Sequence, residues 1–118
     1  AVTYENRLLS SVDISDDVYD AIMAGMLEAS ESGTAASVFA SYPVKVASKT
    51  GSAQTGLSSD NAVFVCCAPY DEPEVAVVVI VEQGGQGALV GSVAKDVLDQ
   101  YFFGASSSEA VADNTLVE

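Results

Sequence analysis

Two stretches of the chain repeat their apolar residues at helical intervals, and three more have the length and composition of strands. Over 15–30, Val18, Ala21, Ile22, Met26 and Ala29 recur at three- and four-residue steps, which lays them along one stripe of a helix. Ser15 stands at its N-cap position, Asp16 and Asp17 lie at the positive end of the helix dipole, and Ile14 is placed to pack onto Tyr19. Gly33 supplies a stop. Met23 and Met26 fall on or beside the stripe, so packing is their expected role. A second helix is predicted over 88–103. There Val90, Val93, Ala94, Val97, Leu98, Tyr101 and Phe102 form the stripe, and Gly104 closes it.

Strands are predicted over 45–54, 61–68 and 74–81. The first runs through the polar Ser48-Lys49-Thr50-Gly51-Ser52, whereas the other two are apolar on both faces, as befits strands covered on each side. The turn Pro69-Tyr70-Asp71-Glu72-Pro73 between them is too short for a parallel crossover, so they form an antiparallel hairpin. The order helix, strand, hairpin, helix gives an α+β class with three antiparallel strands and flanking helices. So few helices leave two-sided apolar strands partly bare, and further strands or layers are expected to come from elsewhere. Residues 1–103 are read as one segment of a domain. From 104 to 118 the chain turns small, polar and acidic, and a disordered tail is expected there.

Composition narrows the partners. A length of 118 residues suits one domain with a modest core, and 49% hydrophobic residues argue against wholesale disorder. Four basic residues against 17 acidic ones leave a net charge of −13, which repels nucleic acid and anionic membrane surfaces. No apolar run approaches the ~20 residues of a membrane helix, and no signal peptide is evident. The opening residues look like the middle of something longer, so a piece of a larger protein is expected. The absence of His removes the commonest general base and transition-metal ligand together. Cys66 and Cys67, adjacent on a strand, point to opposite faces and are read as apolar packing.

Lys49-Thr50-Gly51-Ser52 is the cluster with chemical potential. Strand alternation sets Lys49 and Gly51 on one side, Thr50 and Ser52 on the other, and a Gly lets a ligand's backbone approach closely. Taken alone, a Lys there is better read as a guard against edge-to-edge aggregation.

The surrounding stretch Tyr42-Pro43-Val44-Lys45-Val46-Ala47-Ser48-Lys49-Thr50-Gly51-Ser52-Ala53-Gln54 changes that balance. It resembles the third active-site motif of class B penicillin-binding proteins, whose pattern runs approximately YPVAGKTGTAQ. Gly33-Thr34-Ala35 upstream fits the same family. Downstream, Asn61-Ala62-Val63-Phe64-Val65 and Ala68-Pro69-Tyr70 resemble its HAWFVGFAPY, and Gly84-Gly85 and the closing helix continue the match. The family's superfamily signatures are S-x-x-K, S-D-N and K-T-G. Only the last is assigned here, and the nucleophile and S-x-N are expected outside the chain. Ser92-Val93-Ala94-Lys95 spells S-x-x-K on the closing helix, with Lys95 expected on its exposed face, and is read as a chance match.

The resemblance implies the C-terminal part of a penicillin-binding, β-lactamase-like transpeptidase fold. It implies a parent enzyme that cross-links peptidoglycan stem peptides through an acyl-enzyme, with Lys49 and Ser52 catalytic and Thr50, Gly51 and Ser52 binding substrate. Ser52 would offer its backbone N–H to the oxyanion hole, and no cofactor or metal would be needed. Its partners would be the upstream part of the same domain, peptidoglycan stem peptides and β-lactam antibiotics. The location implied is the outer face of the bacterial cytoplasmic membrane, reached through an N-terminal anchor. Three departures stand out: Ser48 replaces a frequent Gly, Ser52 replaces the commoner Thr, and Asn61 stands where the family often has His, which puts any role of that position in doubt. Two other readings compete. One is a non-catalytic module that holds peptidoglycan or β-lactams. The other is a dinucleotide-binding fragment built on Gly85-Gln86-Gly87-Ala88-Leu89-Val90-Gly91, which lacks a parallel strand and a ribose-binding acid.

Overall fold

The computed structural model describes residues 1–56 and 58–104. Helix α1 spans Asp16–Glu31 and a single-turn α2 spans Ala36–Phe39. Strands β1 (Ala47–Ala53), β2 (Asn61–Ala68) and β3 (Val75–Val81) follow. A 3₁₀ turn at Gly87–Val90 then leads into α3, Gly91–Phe103. The strands form one antiparallel sheet in the order β1-β2-β3, as the hairpin and the polar strand before it lead one to expect. The expected tail lies, from Ala105 onward, outside the described residues. No helix among the described residues is long and apolar enough to cross a membrane.

Register settles what each face of the sheet does. Opposite residues in an antiparallel pair share a face. Thr50 pairs with Phe64 and Phe64 with Val79, while Lys49 pairs with Val65 and Val65 with Val78. On the first face Ala62, Phe64, Cys66 and Ala68 are buried, and the core gathers over them from Phe39, Val90, Ala94 and Leu98. Phe39 stacks on Phe64 with ring centroids 5.9 Å apart. Gly91 opens α3 directly against that ring, where a Cβ would come within 3.3 Å of it. The second face is much barer on β3, where Val78 is 63% and Ile80 64% exposed. The apolar character of both faces is therefore real, but only one face is covered by the described residues.

The same imbalance corrects two readings of the helices. The expected α1 stripe does not form the buried face: Val18, Ala21 and Ile22 are exposed, Met26 and Ala29 are half-buried, and the fully buried positions are Met23 and Ser30. Helix α1 lies along β1 and uses a narrow line of contact, so most of its apolar stripe has nothing against it. Ser15 stands at the N-cap, yet its side chain makes no capping bond; its carbonyl accepts the Val18 and Tyr19 N–H groups instead. Gly33 does end the helix, giving its N–H to the Glu28 carbonyl at 2.9 Å. On α3 the single stripe splits into two. Val90, Ala94, Leu98 and Phe102, four residues apart, face the sheet, whereas Val93, Val97 and Tyr101 are about half exposed.

The first strand also begins later than expected, at Ala47, because Val44 and Val46 turn into the core before the ladder starts. Cys66 and Cys67 are free and face opposite ways, Cys66 buried and Cys67 half-buried. Burial, reinforced by the neighbouring Cys67, pushes the Cys66 thiol up to about 11, and burial raises Cys67 as well. Neither is a poised thiolate, which agrees with packing as their role.

The outer edge of β3 has no strand beside it among the described residues, and it borders the bare Val78 and Ile80. Unpaired N–H and C=O groups beside apolar side chains favour strand addition. The isolated chain is therefore expected to self-associate at micromolar concentration, as seen by light scattering. A stable monomer in which amide exchange protects both edges of β3 would contradict this.

Candidate active site

The site is built from the edge strand outward. Among the described residues β1 pairs with β2 on one side only, so its other edge leaves backbone groups outside the ladder. Two hydroxyl pairs bind this strand to the segment before it. Ser30 and Ser48, both fully buried, share a 2.7 Å hydrogen bond, and Thr34 and Thr50 share one of 3.2 Å. The first pair accounts for Ser48 in a position where the resembled family often has Gly. A buried hydroxyl needs a partner, and Ser30 provides it; a lone one would cost about 1–3 kcal/mol.

Beyond Thr50 the strand presents Gly51 and Ser52 to an open cleft of about 340 Å³. Its opposite wall is Gln86, Gly87 and Ala88, and Thr34 closes one end. A second cleft, of about 400 Å³, adjoins it across the Thr34–Thr50 pair and is lined by Lys49, Glu28 and the end of α1. Lys49 is the one cation in the walls of the two clefts and Glu28 the one carboxylate. The Lys49 ammonium is exposed and donates to the Thr50 carbonyl at 2.6 Å. The structure thus brings Lys49, Thr50, Gly51 and Ser52 to one stretch of open edge, with Lys49 on the face of the sheet away from Thr50 and Ser52, as alternation requires.

Glycine matters here at Gly87, which the sequence offered only as part of a dinucleotide-type glycine motif. A Cβ on Gly51 would meet only ordinary contacts, the nearest being Val63 Cβ at 3.6 Å. A Cβ on Gly87 would collide with the Gly51 and Val63 carbonyl oxygens. Gly87 therefore crosses the β1–β2 ladder with no room to spare, and this crossing sets the width of the first cleft. Thr34, Gln86, Gly87 and Ala88 line the first cleft without having been assigned to the site from the sequence. The glycine-rich run 84–87 was the available signal.

These contacts also dispose of the dinucleotide reading. Among the described residues all strand pairs are antiparallel, Gly87 packs on β1 and Gly91 packs on Phe64, so these glycines are used for close packing.

Two short strings imitate the motifs assigned outside the chain. In Ser92-Val93-Ala94-Lys95, the Lys95 ammonium pairs with Asp99 at 2.6 Å and lies 5.4 Å from the centre of the Tyr42 ring. Lys95 is half-buried and not freely exposed as expected, and its ion pair holds the Asp99 carboxyl below its ordinary range. Ser59-Asp60-Asn61 spells S-x-N within the chain, which corrects the expectation that the string is absent. Two of its backbone carbonyls and the Asn61 side chain serve the start of β2: the Ser59 carbonyl accepts from Thr55, the Asp60 carbonyl from the Gly85 N–H at 2.9 Å, and Asn61 Oδ1 from the Gln83 N–H at 2.9 Å. Asn61 pairs with Ala53, four residues along β1 from Lys49.

A family model for the penicillin-binding protein transpeptidase domain matches residues 3–100. The chain belongs to this family. The peptidoglycan D,D-transpeptidase MrdA of Escherichia coli K12 is 36% identical over 100 residues, covering 72% of this chain and 16% of that protein. The transpeptidase segment thus spans a small part of its curated relatives. Among solved structures, Pseudomonas aeruginosa PBP2 in complex with WCK 5153 is similar with a TM-score of 0.74 and 30% identity, over 88% of this chain and 24% of that one. The imipenem acyl-enzyme of M. tuberculosis penicillin-binding protein A is similar with a TM-score of 0.63 and 30% identity, over 75% of this chain and 20% of that one.

Proposed function

We propose that this segment is the substrate-binding wall of a peptidoglycan D,D-transpeptidase, and that the nucleophilic Ser is supplied by another part of the same domain. What supports the reading is the placement of Lys49, Thr50, Gly51 and Ser52 on an open edge strand beside a cleft, in a chain of the transpeptidase family. The Ser hydroxyl attacks the carbonyl between the two terminal D-Ala residues of a stem peptide. Its proton passes to the leaving amine, the C–N bond breaks, D-Ala departs and an ester remains. An amine of a neighbouring stem then attacks that ester, forms the cross-link and returns the proton to Ser.

This chain's residues bind and stabilise in that scheme. The Ser52 backbone N–H donates to the developing oxyanion, paired with the N–H of the nucleophile; such a donor contributes about 10²–10³ in rate. Thr50 and Ser52 hydroxyls donate to the terminal carboxylate of the stem peptide. Lys49 places positive charge beside the nucleophile and that carboxylate. β-Lactams are trapped on the same Ser because they present an acyl group and a carboxylate together. The reaction belongs to the outer face of the cytoplasmic membrane, where the substrate lies, and the protein reaches it through an anchor elsewhere in its sequence.

Thr50→Val keeps the shape and removes the donor. In the complete domain it is expected to lower acylation by a D-Ala-D-Ala peptide at least about tenfold, the worth of a hydrogen bond to a charged group. The same peptide with its terminal carboxylate amidated is expected to react alike with both proteins. Equal losses on the two peptides, or none on either, would overturn the carboxylate assignment.

A further inference from the structure

The wall of the cleft opposite Ser52 is held from a distance. The loop after β3 turns at Gln83, which takes a φ of 53°, a left-handed conformation that costs a residue other than Gly on the order of 1 kcal/mol. Something must hold it there. Asn61 Oδ1 accepts the Gln83 N–H at 2.9 Å, the Ser58 hydroxyl donates to Gln83 Oε1 at 3.2 Å, and the Asp60 carbonyl accepts the Gly85 N–H at 2.9 Å. Two residues beyond Gly85, Gly87 lies against the Gly51 backbone with no space for a Cβ, and Gln86 and Ala88 face Ser52 across the cleft. The chain from the start of β2 to the cleft wall is short, and each link in it is a close contact.

We infer that Asn61 is a positioning residue for substrate binding: its side-chain carbonyl anchors the Gln83 turn and thereby fixes the distance between the 86–88 wall and Ser52. Asn61 touches neither cleft. Its effect passes through the loop, so it acts on how well a ligand is held and not on the chemistry of acylation. The inference rests on the functional reading above and adds to it a determinant outside the Lys49–Ser52 strand. It also gives a use to the Asn that stands at a position where the resembled family often has His: a backbone N–H needs an acceptor, and the Asn carbonyl supplies one without a tautomer to choose.

The test compares Asn61→Leu, which has no acceptor, with Asn61→Asp, which keeps one, in the complete transpeptidase domain. Acylation by a penicillin is resolved into the initial binding constant and the acylation rate constant. Asn61→Leu is expected to weaken initial binding up to about tenfold, the upper end of what one hydrogen bond contributes, and to leave the acylation rate constant within about twofold. Asn61→Asp is expected to bind within about threefold of the unaltered domain, and amide exchange at Gln83 and Gly85 is expected to quicken in the Leu variant alone. Unchanged binding in Asn61→Leu, or a loss confined to the acylation step, overturns the inference. So does an Asp variant as weak as the Leu variant. Lys49→Ala in the same domain separates the two levels. If it leaves acylation intact, the functional reading fails; if it abolishes acylation while Asn61→Leu binds normally, only the positioning role fails.

Discussion

Lys49→Ala in the complete transpeptidase domain is expected to slow acylation by a penicillin on the order of 10²–10³-fold, the scale of one preorganised charged or polar group aimed at the reacting centre. The melting temperature is expected to stay nearly unchanged. The two halves of this expectation come from one observation. Lys49 is exposed, its only bond among those described runs back to the Thr50 carbonyl, and it packs into no part of the core. A side chain so placed contributes little to stability. It is also the one cation in the walls of the two clefts, on a chain whose net charge is −13. An anionic carboxylate entering these clefts meets one cationic side chain in their walls, the Lys49 ammonium. Arginine would keep the charge but alter its reach and geometry, so Lys49→Arg is expected to recover only part of the rate. Acylation of Lys49→Ala within about twofold of the unaltered domain, under about 0.5 kcal/mol, would show that the edge Lys is merely a guard against aggregation.

Much of the fold was legible because its signals were local. The five-residue turn at 69–73 permitted only an antiparallel hairpin, and β2 runs over the expected residues. Helix α1 starts after Ser15, though without the expected side-chain cap, and stops at Gly33. What could not be read was the direction each stripe faces. Periodicity places Val18, Ala21 and Ile22 on one side of α1, but whether that side is buried depends on what lies against it. Among the described residues nothing does. The same holds for Val93, Val97 and Tyr101 on α3. The single-turn α2 also escaped notice, since four residues carry no period at all.

The site divides in the same manner. Strand alternation was enough to separate Lys49 from Thr50 and Ser52. The wall facing them was not legible, because Gly87 and Gln86 reach β1 from 36 and 34 positions beyond Gly51 and Ser52 in the chain, through a crossing visible only in three dimensions. Ser48 looked like a simple departure from the family pattern, and its reason, Ser30, lies 18 residues earlier. Asn61, at a position where the resembled family often has His, left any role there in doubt, yet its side chain holds the Gln83 turn. In each case the missing information was a partner distant in sequence.

The central claim is that this chain supplies a binding wall and not a nucleophile, and covalent labelling tests it most directly. Penicillin acylation needs a Ser whose proton can be accepted by a nearby base. The one S-x-x-K string in the chain has its Lys tied to Asp99, and the one S-x-N string has its Asn side chain engaged in holding a turn. Ser48 is buried against Ser30, and Ser52 has no basic side chain hydrogen-bonded to it among the described residues. The measurement is incubation of this chain and of the complete domain with a fluorescent penicillin, followed by a denaturing gel and mass mapping of the labelled peptide. No adduct is expected on this chain alone, and in the complete domain a stoichiometric adduct is expected on a Ser outside residues 1–118. A stoichiometric adduct on any Ser of this chain would contradict it.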